Sequence, residues 1–451
     1  MHLLVKFRNS ILFLLKVLVV AVLTTSFLSV WQSFYKAARF GGIGDFVIVA
    51  VYVGILWLFA NIYDAFKVGI VRTHVLAYSL SLSVFLTNCF AYLMLSFIAR
   101  GVLNPIALIF LTIVQVLVII IMTYSLNRVY FTLYKPRLIL AVFDSKNRND
   151  IIKKVSIIKE RFELSKGITI DKGFEEIKKE IDKHEAVLIC DFDASMKTEI
   201  LKYCYSQNKR IYLLPSSADT ILNGSYQVQV FDTPVLFLHN GGLSMEQRIV
   251  KRVFDLLLSS IGIIISSPFM LLISVGIKLC DGGPVIFKQP RITRDMKEFN
   301  IYKFRSMRVD SEKEFKRTTS DDDRITPIGK IIRPFRLDEL PQLFNIFLGH
   351  MSVVGPRPEM KEIIEGYKDT LPEFNLRHKV KAGLTGYAQI YGKYNTSAQN
   401  KLNMDLYYIE HYSILEDIKL IAMTVKILFL SESTEGFAEK DSHIDNGNNS
   451  K

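Results

Sequence analysis

Four apolar stretches, at about 11–32, 45–64, 77–99 and 105–126, fill most of the first 126 residues of this chain. Each is long enough to cross a bilayer core, which takes about 20 apolar residues in a helix. Backbone in lipid must satisfy its own hydrogen bonds, so four such runs in a row imply a bundle of four membrane helices. Lys16, near the start of the first run, can reach the interface with its long stem. The start is basic, with Lys6 and Arg8, but shows no small-x-small cleavage site, so it does not read as a cleavable leader. With the N-terminus inside, the inner side carries Lys6, Arg8, Lys67, Arg72, Arg128, Lys135 and Arg137, and the outer side Lys36, Arg39 and Arg100. That excess places both ends of the bundle in the cytoplasm. The runs hold few ionisable residues, so they read as an anchor or scaffold and not as an ion path.

The 451 residues leave room for two or three domains. The formal charge is +12 and the mean hydropathy is +0.24. A chain both basic and apolar suits a membrane protein with a basic cytoplasmic face, and no nucleic-acid partner is expected. Cys89, Cys190, Cys204 and Cys280 form no CxxC, which argues against a disulfide framework or a zinc site and for buried thiols.

The pattern changes at Pro136. RLILAVFD (137–144), AVLICDFD (186–193) and RIYLLP (210–215) read as strands, and 147–162 and 195–207 as helices. Strands alternating with helices predict a parallel, Rossmann-like α/β domain over 136–245. The loop DSKNRND after the first strand lacks GxGxxG, so a structural or regulatory role is expected, without a dinucleotide.

From 246 a further apolar stretch, about 253–279, is interrupted by Ser266, Ser267 and Pro268. Proline removes a backbone donor and clashes with the carbonyl four residues earlier, so the helix should break or kink there. Basic residues stand at both ends, Lys251 and Arg252 before it and Lys278, Lys288 and Arg291 after it. A re-entrant helix keeps both ends inside, and the serines can meet the freed backbone groups. No comparable run follows residue 280, which puts the remainder on the cytoplasmic surface of the membrane.

The stretch RPFRLDELPQLFNIFLGHMSVVGPRP (333–358) sets Asp338 beside Glu339 among Arg333, Arg336 and Arg357. PQLFNIFLG has helical spacing with proline in its first turn, so the pair should lie at or just before a helix start. Cations and a helix dipole favour an ionised, low-pKa aspartate, able to attack phosphorus or hold Mg²⁺. Two adjacent acids can divide the work between nucleophile and metal ligand. IYKFRSMRVD (301–310) crowds Lys303, Arg305 and Arg308, and VKAGLTGYAQIYGKYN (380–395) adds Lys381 and Lys393 on a glycine-bearing turn. Alone, each piece fits a basic surface facing anionic lipid; together they suit a multiply charged phosphate ligand.

KRVFD (251–255), SSP (266–268), GGPVIFKQPRI (282–292), YKFRSMR (302–308), LDELPQLFNIF (337–347), MSVVGPRP (351–358) and GLTGYAQ (383–389) occur in an order that resembles the bacterial sugar transferase family. These are monotopic phosphoglycosyl transferases, and the four-helix bundle with an α/β domain ahead resembles the long form. The resemblance implies a polyprenyl-phosphate sugar-1-phosphate transferase acting in exopolysaccharide, capsule or O-antigen synthesis. Asp338 would attack a UDP-sugar, with a hexose favoured, and release UMP. Polyprenyl (undecaprenyl) phosphate would then take the sugar phosphate from Asp338. Glu339, with Asp338, would hold Mg²⁺. Arg333, Arg357, Lys303, Arg305, Arg291 and Gln289 would bind UDP-sugar and phosphate groups, Ser267 and Pro268 would mark the break in the membrane helix, and Lys251, Arg252 and Asp255 would seat that helix. Departures from the family pattern are Thr293 where glycine is frequent, Ala382 where proline is frequent, Tyr387 where tryptophan is frequent and His350 where aspartate is common.

The expected architecture is therefore a four-helix transmembrane domain over 1–135, a Rossmann-like α/β domain over 136–245, and a mainly α catalytic domain over 246–433 with a re-entrant helix at about 253–279. A polar tail, 434–451, is expected to be disordered. The protein would be multi-pass in the bacterial inner membrane, its catalytic domain cytoplasmic and in contact with membrane lipids. A homodimer through the bundle or α/β domain and hand-over to downstream glycosyltransferases are compatible with this. Two other readings compete: a membrane-anchored nucleotide-sugar oxidoreductase or dehydratase, opposed by the missing GxGxxG, and a non-catalytic assembly scaffold, opposed by the intact Asp338-Glu339.

Overall fold

Long aliphatic runs free of proline, with Gly54 of the second the one glycine deep inside, build four helices: α1 (Arg8–Phe34), α2 (Ile43–Ile62), α3 (Thr73–Ile98) and α4 (Ile106–Leu133). The computed structural model describes residues 8–69, 71–134, 136–144, 162–238, 241–308, 324–393 and 396–428. All four helices are long and apolar enough to cross a membrane. They pack through a small aromatic and aliphatic core in which Phe27 stacks on Tyr52 at 4.0 Å, over Leu23, Leu56, Val84 and Leu111. At its centre lies a polar knot. Gln115 Nε2 donates to the Leu23 carbonyl and to Ser26 Oγ, while Asn88 Nδ2 donates to Gln115 Oε1 and to Thr112 Oγ1. Tyr52 O–H donates to Asn88 Oδ1. Every helix contributes, so the knot fixes their register more sharply than interchangeable aliphatic contacts can.

Next, β1 (Arg137–Phe143), β2 (Phe162–Thr169), α5 (Phe174–Asp182), β3 (Ala186–Ile189), α6 (Ala194–Ser206) and β4 (Arg210–Leu213) form a parallel sheet of order β2-β1-β3-β4. Leu140, Ala141 and Val142 are fully buried, as expected of a central parallel strand covered on both faces. The helix expected over 147–162 lies outside the described residues except for Phe162, which instead opens β2. The sequence reading missed β2, FELSKGIT, because an edge strand carries no continuous apolar run. Cys190 and Cys204 are buried thiols; Cys89 and Cys280 are exposed, against the expectation that all four are buried.

The chain divides into two compact units, Met1–Pro215 and Ser216–Lys451. The second begins with α7 (Ser217–Asn223) and the hairpin β5 (Tyr226–Val230) and β6 (Thr233–Phe237). It continues with α8 (Met245–Asp281), β7 (Ile286–Ile292), β8 (Glu298–Phe304), α9 (Pro327–Ile332), α10 (Gln342–Phe347) and β9 (Ser352–Val354). It ends with α11 (Lys361–Gly366), β10 (Gly383–Thr385), α12 (Tyr387–Tyr391), α13 (Ala398–Glu410) and α14 (Ile414–Leu428). With β7 and β8 antiparallel and β9 and β10 parallel, this region is mixed α/β and not mainly α, as its sequence suggested. The short strands escape detection because IFKQPRI sets Lys288, Gln289, Pro290 and Arg291 in a row and EFNIYKF breaks its alternation at Tyr302, so neither sustains the period of two that marks a strand.

The 37 residues of α8 start at a Ser244–Gln247 capping box and stop at left-handed Gly282. Helical pairing runs through Pro268, so the proline does not end the helix. Its missing N–H leaves the Ile264 carbonyl without a donor, and Ser267 Oγ donates to that carbonyl at 2.8 Å. One face of α8 (Ile263, Met270, Ile273 and Ile277) packs on Phe304, Ile328, Ile332, Leu337 and Leu340. The other exposes Ile261, Ile264, Ile265, Phe269, Leu271 and Leu272.

Gln115→Ala should orphan the Asn88 and Tyr52 polar groups and lower bundle stability by about 1–3 kcal/mol, the usual cost of an unmet buried partner. Thermal unfolding of the detergent-solubilised full chain checks this. A melting temperature unchanged from wild type would mean that the knot contributes no stability.

Candidate active site

Leu337–Glu339 form a single 3₁₀ turn, entered by Arg336 in the left-handed region at φ 53° and left by Pro341, which caps α10. Positions 337 and 340 share one side of such a turn, and Leu337 and Leu340 both pack into the α8 face. Asp338 and Glu339 therefore turn away from that apolar seat. They sit about one turn ahead of α10, where its dipole has little hold.

From β8, Lys303 Nζ lies 3.0 Å from Glu339 Oε1. From the turn after β9, Arg357 Nη2 lies 3.6 Å from the same oxygen. Burial acts to raise the Glu339 pKa, but Lys303 and Arg357 overcome it and hold the carboxyl at about 2. Asp338 goes the other way: burial and the Glu339 charge push it above the usual aspartate range, only partly countered by Lys303 and Arg333. The expectation of a low-pKa aspartate is thus corrected. The clamped carboxylate is Glu339, because the cations reach it first. Arg333 Nη1 is buried and has no hydrogen-bond partner among the described residues, a donor beside Asp338 left for an anion.

Not every expected residue meets the acidic pair. Arg291 donates to Gln289 Oε1 at 2.6 Å and to the Pro358 carbonyl at 3.4 Å, so these two shore up the Arg357 turn. Arg305 is buried over Gly283, whose place a Cβ could not share with the guanidinium. Ser267 and Pro268 lie within α8. Lys251 pairs with Asp417 at 2.6 Å, Arg252 donates to the Ile346 and Phe347 carbonyls, and Asp255 accepts from Ser352 Oγ and the Val353 N–H.

Three positioning residues, Asn345, Arg377 and Asp405, were not found by sequence reasoning. Asn345 is fully buried; its Oδ1 accepts from the Tyr302 N–H and its Nδ2 donates to the Asn300 carbonyl. One amide thus replaces a missing strand partner for β8 and ties α10 to the strand that carries Lys303. Its signal was a lone amide within the apolar run LFNIF. Arg377 Nη2 donates to the Arg357 carbonyl at 3.1 Å and pairs with buried Asp405 at 2.8 Å, which fixes the Arg357 turn. Glycine permits the same turn: a Cβ on Gly355 would strike the Lys381 carbonyl, and one on Gly386 the Gly355 carbonyl.

A carboxylate pair of unlike acidity, ringed by guanidinium and ammonium groups on a helix-seated turn, has the charge pattern that suits phosphate esters. Residues 246–431 match the bacterial sugar transferase family. An exopolysaccharide production protein of Rhizobium leguminosarum bv. phaseoli is 40% identical over 198 residues, covering 42% of this chain and 97% of that protein. The UDP-glucose:undecaprenyl-phosphate glucose-1-phosphate transferase of Klebsiella pneumoniae is 39% identical over 218 residues, 47% of this chain and 45% of that protein. The UDP-N-acetylgalactosamine-undecaprenyl-phosphate N-acetylgalactosaminephosphotransferase of Aeromonas hydrophila is 39% identical over 183 residues, 40% of this chain and 43% of that protein. The match thus spans less than half the length of the last two. This chain belongs to the bacterial sugar transferase family, and its apolar helices make it a membrane protein.

Three of its departures from the family pattern touch one another. Thr293 Oγ1 donates to the His350 carbonyl at 3.2 Å and accepts from the Ala382 N–H at 3.0 Å. Proline at 382 would have no N–H to satisfy. Alanine has one, buried, and threonine in place of glycine at 293 supplies its acceptor. Thr293→Gly alone should cost about 1–3 kcal/mol by orphaning that N–H. Adding Ala382→Pro should recover most of the loss. Additive losses in the double-mutant cycle would show that the pair is not coupled.

Proposed function

We propose that this protein transfers a sugar-1-phosphate from a UDP-sugar to polyprenyl (undecaprenyl) phosphate. The observation that carries the proposal is the split acidic pair: Glu339 clamped by Lys303 and Arg357, Asp338 left unclamped beside the open Arg333 donor. An ionised Asp338 oxygen attacks the sugar-bearing phosphorus, the bond to the bridging oxygen breaks, and UMP leaves. An oxygen of polyprenyl phosphate then attacks the same phosphorus, Asp338 departs as carboxylate, and polyprenyl-diphosphate sugar is formed. Arg333 and Arg357 hold phosphate oxygens through both steps, with Lys303 countering the charge that builds on them.

Among the described residues no three ligating side chains gather as a metal cage. Mg²⁺ needs only one or two carboxylates when substrate phosphates complete its shell. Both cations sit on Oε1 of Glu339, which leaves Oε2, with Asp338, for the ion. It would neutralise diphosphate charge. Glucose and N-acetylgalactosamine both occur among the sugars in the relatives' names, and we favour a hexose donor.

The bundle α1–α4 is proposed to span the inner membrane, with the second unit on the cytoplasmic face and a product passed to downstream glycosyltransferases. The parallel sheet supports a Rossmann-like reading of the domain before it, and homodimerisation remains part of the proposal. For α8 we propose a re-entrant course. Lys251 near its start and Ile277 near its end both pack on the same globular unit, although a straight helix would separate them by about 39 Å. A helix held along its length by one domain dips into lipid with its exposed apolar face and does not cross.

Asp338→Asn should abolish UMP release while the protein still folds, and radiolabelled sugar phosphate should remain trapped on wild type only; label trapped on the variant would remove Asp338 as nucleophile. Because only ionised Asp338 attacks, activity should fall as pH drops through its raised pKa. Lys303→Met removes a cation that lowers that pKa, so the acid limb of kcat should move to higher pH. A limb that stays put would show that Asp338 is not the titrating group.

Positions 248 and 288 are exposed at the two ends of the α8 region. Arg248→Cys and Lys288→Cys, each in a background without native thiols, should be labelled only from the cytoplasm. Labelling of position 288 from outside would make α8 a fifth span.

A further inference from the structure

A cavity of about 140 Å³ opens between the start of α8 and the loops around residues 294 and 380, and it shares no lining residue with the Asp338-Glu339 cradle. Asp255 is its only acid; Arg248, Lys251, Arg252, Arg294, Lys379 and Lys381 supply six cations. The charges do not cancel. Lys251 is neutralised by Asp417 and Arg294 by Asp295. Asp255 spends Oδ1 on Ser352 and the Val353 N–H. Among the described residues, Arg252 and Arg248 donate only to backbone carbonyls. Lys379 and Lys381 make no ion pair among the described residues. Burial, Arg252 and Arg294, with Lys251, push the Lys381 ammonium down against the opposing pull of Asp255.

Cations crowded into a half-buried cavity repel one another, and an anion relieves that repulsion. Sites for whole drug-sized ligands run to about 300–1,000 Å³, so this one holds a single headgroup and not a nucleotide. Ile249 and Val253, next in the chain to the lining residues Arg248 and Arg252, are exposed and offer an apolar surface for an acyl chain.

We propose that this cavity is a second anion site, separate from the acidic pair, which takes one phosphate group offered by a lipid headgroup or free in solution. The site stands whether or not the transfer reaction above is right.

The test uses the full chain in phosphatidylcholine nanodiscs. One arm titrates inorganic phosphate by calorimetry; the other adds phosphatidylglycerol and counts retained lipids by native mass spectrometry. Wild type, Lys381→Gln, Lys379→Gln and, as a control on an exposed lysine outside both cation clusters, Lys172→Gln are compared. Binding at least about tenfold weaker in Lys381→Gln, in either arm, with Lys172→Gln unchanged in that arm, supports the site, and the responding arm names the source. Without ligand, Lys381→Gln should melt no lower than wild type, since it relieves repulsion. If Lys381→Gln fails to fold, the same comparison is made with Lys379→Gln. Equal loss in the Lys381 and Lys172 variants would make the binding a general effect of surface charge, and binding unchanged by either cavity variant would leave no site at all; both results overturn the proposal.

Discussion

Leu337 and Leu340 sink into the face of α8 formed by Ile263, Met270, Ile273 and Ile277, and that burial decides where two carboxylates point. Fully burying an aliphatic side chain is worth about 1.5–3 kcal/mol, and each of these half-buried leucines gains part of that. A few such contacts outweigh the strain of Arg336 at φ 53°, a conformation that costs on the order of 1–3 kcal/mol. The strained residue survives because leucines on either side of the acids are held. The same α8 face touches Phe304 at the end of β8, and Lys303 is its neighbour in that strand. The apolar seat thus sets the acids and their cation in one frame before any electrostatic term acts.

Given that frame, proximity divides the labour between the acids. Both are drawn from water, which by itself raises a carboxyl pKa. Lys303 and Arg357 reach one oxygen of Glu339 and overwhelm that cost; Asp338 receives the residual burial and a negative neighbour. Two residues of nearly the same chemistry end up on opposite sides of their usual values.

The membrane helices were legible because a bilayer demands length and apolarity, and both are written residue by residue. The central strands, rich in Val, Ile and Leu, were legible for a related reason. The acidic pair and its three nearest cations were named from motifs and resemblance, and the structure brings Lys303 and Arg357 to Glu339 and Arg333 to the side of Asp338. What stayed hidden was relational. That Glu339 and not Asp338 is the clamped acid depends on which oxygen Lys303 reaches across β8. Asn345 works by standing in for a strand partner, and Arg377 through the carbonyl of Arg357; neither job shows in local spacing. Arg291 and Gln289 look like ligands in sequence, yet they buttress the Arg357 turn.

The contact among Thr293, His350 and Ala382 shows how a fold tolerates change in a tight region. A backbone N–H gained at 382 is a liability only where water cannot reach it, and Ala382 is buried. Thr293 meets it from the loop joining β7 and β8, and in the same stroke ties that loop to the residue ahead of β9 through the His350 carbonyl. The hydroxyl therefore joins the hairpin that carries Lys303 to the turns that carry Arg357. Thr293, noted in sequence only as a departure, adds in space a bond between the two structures whose spacing sets the clamp on Glu339.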